Sequence, residues 1–251
     1  MSKNVWITGA SSGIGKALAI KFAKEGCQVA ASARRENLLK DLNNQNPNIY
    51  SFPLDVKNAT ETKNVFKNII EKFKTIDIVV FCTGIHDPES EKKLSSEKIR
   101  EIMETNFFGT LNCIMAINNY FKEKKCGHIS IVSSVAGYRG LPAAAGYCAS
   151  KSALTSLAES LYFDFKRHNV RVSLVSPGFI KTPMTDKNKF PMPMIKSPEF
   201  AAEKMFIGLT KKNVFEIHFP LAFTMMMKLL KIMPNWLYFL LVKKGMKTIK
   251  Y

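Results

Sequence analysis

No two cysteines of this sequence form a CxxC pair, and none stands at metal-ligand spacing from a histidine. Cys27, Cys82, Cys113, Cys126 and Cys148 make an odd, scattered set, which argues against a disulfide framework and against a structural zinc site. Apolar runs of about 18 residues are also missing, so a membrane-spanning helix is not expected. Acidic residues are scarce: 20 Asp and Glu against 37 Lys and Arg leave a net charge of +17, and no acid occurs between Ile217 and Tyr251. Such a charge raises nucleic acid or anionic lipid as partners. No helix-turn-helix, zinc or aromatic RNA-binding motif accompanies it, so no nucleic-acid partner is expected, and a solvated lysine surface accounts for most of the charge. No internal repeat is present. With a strand expected from Asn4, a basic region, apolar stretch and cleavage site do not fit ahead of it, and a reduced, cytoplasmic setting is expected.

What is present is a chain of 251 residues, 46% hydrophobic, enough to bury one substantial core. Short runs rich in Val and Ile at Val5–Thr8, Gln28–Ala33, Ile76–Phe81, His128–Ser133 and Val170–Val175 alternate with helical stretches. That alternation predicts an α/β fold with a parallel sheet covered on both faces. Residues 1–215 are read as the catalytic domain, with 216–251 as a hydrophobic, basic helical extension.

Behind the first run stands Thr8-Gly9-Ala10-Ser11-Ser12-Gly13-Ile14-Gly15. Ile14, Leu18 and Phe22 then recur at helical spacing, so the glycines fall on a strand-to-helix turn whose amides and dipole suit a dinucleotide pyrophosphate. An acid at the end of the second strand would accept bonds from the adenosine ribose of NAD. Ala33 stands there instead, followed by Arg34 and Arg35, and guanidinium groups suit a 2′-phosphate. NADP(H) is therefore the expected cofactor, with Arg34 the leading contact and Ser11 a helper. Asp55, followed by Val56, has two readings: acceptor for the adenine amine, or simple turn residue.

Tyr147 and Lys151 stand four apart in a segment that reads as helix, so both project from one face. A cation there is expected to lower the phenol pKa toward working pH, as general acid-base chemistry needs. Ser134 ends the Ile129–Ser133 strand, on the side of a parallel sheet where ligands lie.

As an ordered set, the glycine turn, Asp55, Asn106, Ser133-Ser134, Tyr147 with Lys151, and Pro177-Gly178 followed by Thr182 closely resemble the short-chain dehydrogenase/reductase family across roughly residues 4–215. The resemblance implies a Rossmann-type doubly wound sheet and a catalytic tetrad of Asn106, Ser134, Tyr147 and Lys151. Tyr147 would protonate a carbonyl oxygen, Ser134 would bond the same oxygen, and Lys151 would bond the nicotinamide ribose. Asn106 would hold a proton-relay water. Gly84, Pro177 and Gly178 would border the cofactor, and Ile180 with Thr182 would hold its carboxamide. Asn106 could instead serve a helix kink, and Pro177-Gly178 a turn. One departure is Cys82-Thr83-Gly84, where the family usually has Asn-Ala-Gly; the change puts local packing in question more than chemistry. A homodimer or homotetramer is the family's common state.

Pro183–Ser197, in the family's lid position, carries Met184, Phe190, Met192 and Met194, and so favours a lipophilic carbonyl or alcohol, a 3-oxoacyl compound among them. Ser197-Pro198 reads as the cap and first position of the next helix. In the tail, Leu221–Met233 and Trp236–Val242 read as helices flanking Pro234, with Thr224, Lys228 and Lys231 on a narrow polar face and Lys243, Lys244, Lys247 and Lys250 beyond. Two readings bury their apolar faces: docking on an anionic membrane surface at its inner face, or packing over the substrate mouth or another subunit. The functional expectation is an NADPH-dependent carbonyl reductase; the rival is a non-catalytic NADP(H)-binding protein docked through its tail.

Overall fold

The computed structural model describes residues 2–91 and 93–248. Lys250 and Tyr251, named above, lie outside the described residues, as does the side chain of Lys247. Seven parallel strands form one sheet in the order β3-β2-β1-β4-β5-β6-β7: β1 (Asn4–Thr8), β2 (Gln28–Ser32), β3 (Ile49–Ser51), β4 (Ile78–Phe81), β5 (His128–Val132), β6 (Arg171–Pro177) and β7 (Glu216–Phe219). The helices are α1 (Gly13–Lys24), α2 (Glu36–Gln45), α3 (Ala59–Phe73), α4 (Pro88–Glu91), α5 (Ser96–Met103), α6 (Gly109–Lys124), α7 (Ala145–Lys166), α8 (Pro198–Thr210), α9 (Leu221–Ile232) and α10 (Asn235–Thr248). This is the doubly wound α/β fold that the alternating runs predict.

Successive strand residues point to opposite faces, and the core divides accordingly. Val5 and Ile7 join Leu18 and Phe22 of α1 and Met205 and Leu209 of α8 on one side. Trp6, between them, turns the other way onto Phe66 of α3 and Phe81 of β4, among Ile117 and Phe121 of α6 and Leu154 of α7. Both faces being covered, most strand side chains are buried, small polar ones such as Ser32, Ser130 and Ser173 among them, and each fully buried large apolar side chain contributes roughly 1.5–3 kcal/mol.

Local signals set several helix starts. Asn58 accepts the Glu61 amide at the head of α3, Ser95 accepts the Lys98 amide at α5, and Ser197 accepts the Phe200 amide at α8, where Pro198 takes the first position. β7 is absent from the strands expected above, because Glu-Ile-His-Phe is too short and too mixed to stand out from the apolar tail that follows. Its edge position leaves Glu216 and His218 half-buried, unlike the central strands.

Because β1 pairs with both β2 and β4, the chain order reverses between β1 and β4, and the crossovers α1 and α3 leave on opposite faces. The reversal opens a crevice beyond the carboxyl ends of β1 and β4. Among the described residues no helix is long and apolar enough to cross a membrane.

Candidate active site

A cleft of about 610 Å³ occupies that crevice. Its walls collect residues spread over most of the chain: the glycine turn, Arg34, Arg35, Asp55, Val56, Gly84, Ser134, Tyr147, Lys151, Pro177, Gly178, Ile180 and Thr182. Of the catalytic and cofactor residues expected from sequence, Asn106 alone does not line it, and of the apolar loop residues Met184 does while Phe190, Met192 and Met194 do not. The lining also includes Cys82, Thr83, Ile85, Thr105, Met184 and Thr185.

At the glycine turn two positions exclude any side chain. Gly9 has φ +70°, and a Cβ there would sit 2.8 Å from the Cys82 carbonyl oxygen; one on Gly15 would sit 2.4 Å from the Gly9 carbonyl oxygen. The turn is thus pressed flat against the end of β4 and its own helix, leaving the α1 amides facing the cleft. The Thr8 hydroxyl accepts the Cys82 amide at 3.2 Å. Strands β1 and β4 are therefore tied beside the cleft without the asparagine that the resemblance would place at Cys82. Burial pushes the Cys82 thiol up to about 11, so it is protonated at neutral pH.

Arg35, rather than Arg34, reaches the turn. Its Nη2 donates to Ser11 Oγ at 2.9 Å and Ser12 Oγ at 2.8 Å, while Arg34 lines the cleft beside it. The combination of two guanidinium groups, two hydroxyls and no carboxylate at Ala33 is a donor set for a phosphate. Asp55 sits at the far side with Oδ1 accepting the Lys57 amide, the turn geometry of its simpler reading, yet it still faces the cleft.

At the other end, Lys151 is 4% exposed and donates from Nζ to the Val132 carbonyl at 3.0 Å. Burial lowers its pKa to about 8. The Nζ lies 5.7 Å from the centroid of the Tyr147 ring. The expected lowering of the phenol by this cation is not what the structure shows. Burial pushes Tyr147 up to about 12, against a smaller opposite effect from its hydrogen bond with Ser134, because the low-dielectric surroundings penalise phenolate more than the neighbours favour it. Ser134 Oγ also accepts the Ala136 amide at 3.1 Å and makes only a long contact, 3.5 Å, to the Pro177 carbonyl.

Asn106 lies on a five-residue π-helical segment, 104–108, between α5 and α6. Its Oδ1 accepts the Ile85 amide at 2.7 Å, and its Nδ2 donates to the Ile85 carbonyl and the Ser150 hydroxyl, both at 3.0 Å. The side chain therefore fastens the β4 loop to α7, and both amide protons are used in doing so. Lys151 Nζ and Asn106 Oδ1 flank Gly84, at 3.4 and 3.5 Å from where its Cβ would be.

Two residues absent from the sequence reading complete the arrangement. Ala144 caps α7 with no side-chain bond. The buried Glu91 of α4 does so instead, its Oε2 accepting the amides of Gly146 at 2.8 Å and Tyr147 at 3.2 Å, where the helix dipole favours an anion. Its Oε1 contacts His86 Nδ1 at 2.8 Å, and the His86 ring stacks on Tyr147 at 4.3 Å between centroids. Glu91 thus positions the backbone of Tyr147 directly and its ring through His86. Only an aromatic two residues after Gly84 hinted at this in the sequence.

The lid, residues 183–197, is closed at its base by the Ile180–Lys196 bridge and puts Pro183, Met184 and Thr185 on the cleft. The face of α9 bearing Phe223 and Met227 packs on Val135 and Tyr138, with Leu141 and Phe179 alongside. One face of α9 is therefore buried against the segment that follows Ser134 and against Phe179. The polar stripe read on α9 is also turned inward, with buried Thr224 bonded to His218 and Lys228 paired with Glu216 at 2.5 Å. Among the described residues there is no group of side chains suited to a metal ion.

Comparison with known proteins agrees with this geometry. A family model described as short chain dehydrogenase matches residues 3–191. An uncharacterized oxidoreductase of Myxococcus xanthus is 34% identical over 236 residues, spanning 92% of this chain and 93% of its own. A 3-oxoacyl-[acyl-carrier-protein] reductase of Thermotoga maritima is 33% identical, over 72% of this chain and 75% of its own. Among solved structures, a short chain dehydrogenase of Burkholderia cenocepacia in complex with NADP is 27% identical, covers 86% of this chain and 87% of its own, and superposes with a TM-score of 0.75. The parallel sheet, the glycine turn pressed against β4, the Tyr147–Lys151 pair and this match over three quarters of the sequence lead to one conclusion: the chain belongs to the short-chain dehydrogenase family of oxidoreductases.

Proposed function

We propose that the protein is an NADPH-dependent reductase of lipophilic ketones, 3-oxoacyl compounds among them. The observation that carries the reading is a neutral, half-buried Tyr147 on the cleft wall beside the ammonium of Lys151 and the hydroxyl of Ser134, at the other end of the cleft from the arginine and serine donors. The residues present suit the cofactor: glycines that leave no room for side chains at the turn, then Arg35, Ser11 and Ser12 at the 2′-phosphate, with Arg34 beside them. When bound, NADPH supplies the hydride.

The chain's own groups handle the oxygen and its proton. A phenol held near 12 is protonated at neutral pH, so Tyr147 has a proton to donate to a carbonyl oxygen. Ser134 is hydrogen-bonded to Tyr147 and its contact to the Pro177 carbonyl is long, so its hydroxyl can turn to the same substrate oxygen. Lys151 spends one of three protons on Val132, leaving two for a ribose hydroxyl and for stabilising the charge that forms on Tyr147. Asn106 Oδ1 keeps one lone pair for the relay water. Met184 and Pro183 of the loop and Ile180 before it give the cleft apolar lining, which suits a lipophilic substrate.

The test is NADPH oxidation by the purified protein over carbonyls graded in chain length and ring size, free and carrier-bound, with Tyr147→Phe alongside. Turnover should rise with apolar size, and Tyr147→Phe should lower kcat by about 10²–10⁴ while leaving NADPH affinity intact. Unchanged turnover in the variant would overturn the catalytic assignment. Absence of turnover on every compound, with NADPH bound, would leave the non-catalytic reading.

A further inference from the structure

With Phe223, Met227 and Tyr238 turned toward the body of the protein, the opposite faces of α9 and α10 carry large apolar side chains in solvent. On α9, Leu221, Met225, Leu229 and Ile232 are spaced four, four and three apart, one continuous stripe, and Ile232 is 78% exposed. On α10, Trp236, Phe239 and Leu240 form a second, with Trp236 at 70%. Scattered exposed apolar residues need no explanation, but two aligned stripes on consecutive helices do.

The two helices are held firmly at their junction. Met233 is extended ahead of Pro234, which ends α9, and Arg139 caps that end by donating to the carbonyls of Leu230 and Met233. The same guanidinium bonds Asn235 and lies 4.0 Å from the Tyr238 ring centroid. The stripes are therefore presented on a fixed scaffold, beside Phe179 and Tyr138.

Charge selects the occupant. From Ile217 to Tyr251 there are six lysines and no acid. Lys231 turns inward, its Nζ 6.0 Å from the Tyr138 ring centroid, whereas exposed Lys243 follows the α10 stripe one turn on. A second copy docking by the same face would set lysines against lysines with no carboxylate from either tail to pair them. A surface that is apolar below and anionic at its rim satisfies both features. We propose that α9 and α10 dock the protein on an anionic lipid surface, with Leu229, Ile232, Trp236 and Phe239 entering the headgroup region and Lys243 meeting the lipid anions. The docking itself does not depend on the catalytic reading.

The test is sedimentation of the full-length protein with vesicles of phosphatidylcholine alone and of phosphatidylcholine mixed with phosphatidylserine. Binding should require the anionic lipid, weaken with salt, and fall about fivefold for Lys243→Ser. Trp236→Ser with Phe239→Ser should abolish it, with NADPH binding retained as the check on folding, and Tyr147→Phe should bind vesicles like the wild type. Vesicle binding that ignores these substitutions, or no binding at all, overturns the proposal. So does a wild-type dimer that becomes monomeric in Trp236→Ser with Phe239→Ser, which would make the face a subunit interface.

Discussion

Lys151→Met tests the electrostatics of the site through a quantity that activity does not report. The side chain is 4% exposed and its pKa is lowered from 10.5 to about 8 by burial, so the folded state holds an ammonium in surroundings that disfavour it. Between pH 8 and 10.5 the unfolded chain binds more protons at this group than the folded one, and stability therefore rises with pH across that window. Below it, the penalty is complete: a shift of 2.5 units at 1.36 kcal/mol each costs about 3 kcal/mol at pH 7. By about pH 9.5 it has fallen by about 2 kcal/mol. Methionine keeps the packing without the charge but loses the bond to Val132, worth about 1.5–3 kcal/mol, so a comparison at one pH decides little. The difference between variant and wild type, measured by urea unfolding from pH 7 to about 9.5, removes the titration of every other lysine and tyrosine common to both. The variant's relative stability should decline by about 2 kcal/mol over that range. A difference independent of pH would show that Lys151 keeps an ordinary pKa and would refute the buried-ammonium account. Turnover should be lost in the variant at every pH.

Arg35→Ala should weaken NADPH roughly 10–100-fold and NADH far less, as loss of charge-assisted bonds to a phosphate predicts; titration of cofactor fluorescence gives both, and a larger effect from Arg34→Ala would restore the order read from sequence. Gly15→Ala gains about 1 kcal/mol of helix propensity, yet its Cβ would press on the Gly9 carbonyl, so the variant should be less stable by about 1–2 kcal/mol and should lose NADPH binding; a rise in Tm would contradict the close packing of the turn. Glu91→Ala removes the α7 cap and the anchor of His86, and should cost about 1–3 kcal/mol with a fall in kcat at unchanged NADPH affinity, with Glu91→Gln intermediate because it keeps one acceptor; equal loss in both variants would point to charge alone.

Much of this protein is written in short, contiguous signals. Val- and Ile-rich runs must bury both faces, so alternation with helices already implies the parallel sheet, and Ser197-Pro198 marks the start of α8 because capping and the fixed proline φ act within one turn. The glycine turn, Ala33 with its two arginines, and the four-residue spacing of Tyr147 and Lys151 are likewise local. β7 escaped because an edge strand of four residues beside an apolar tail has no periodicity of its own. The sign of the Tyr147 shift escaped for a different reason: spacing shows that a cation is near, but burial, which outweighs it here, is a property of everything packed around the ring. Glu91 is 55 residues from the amide it caps, and Arg139 is 91 from the carbonyl it holds, separations across which no sequence pattern connects the partners. The tail shows the division most plainly. Its composition by itself determined that the tail would be apolar with lysines interspersed; only the folded chain decided that Phe223 and Met227 pack on Val135 and Tyr138 while Leu229 and Trp236 are left outside, because the choice between two apolar faces is made by the shape of the surface they meet.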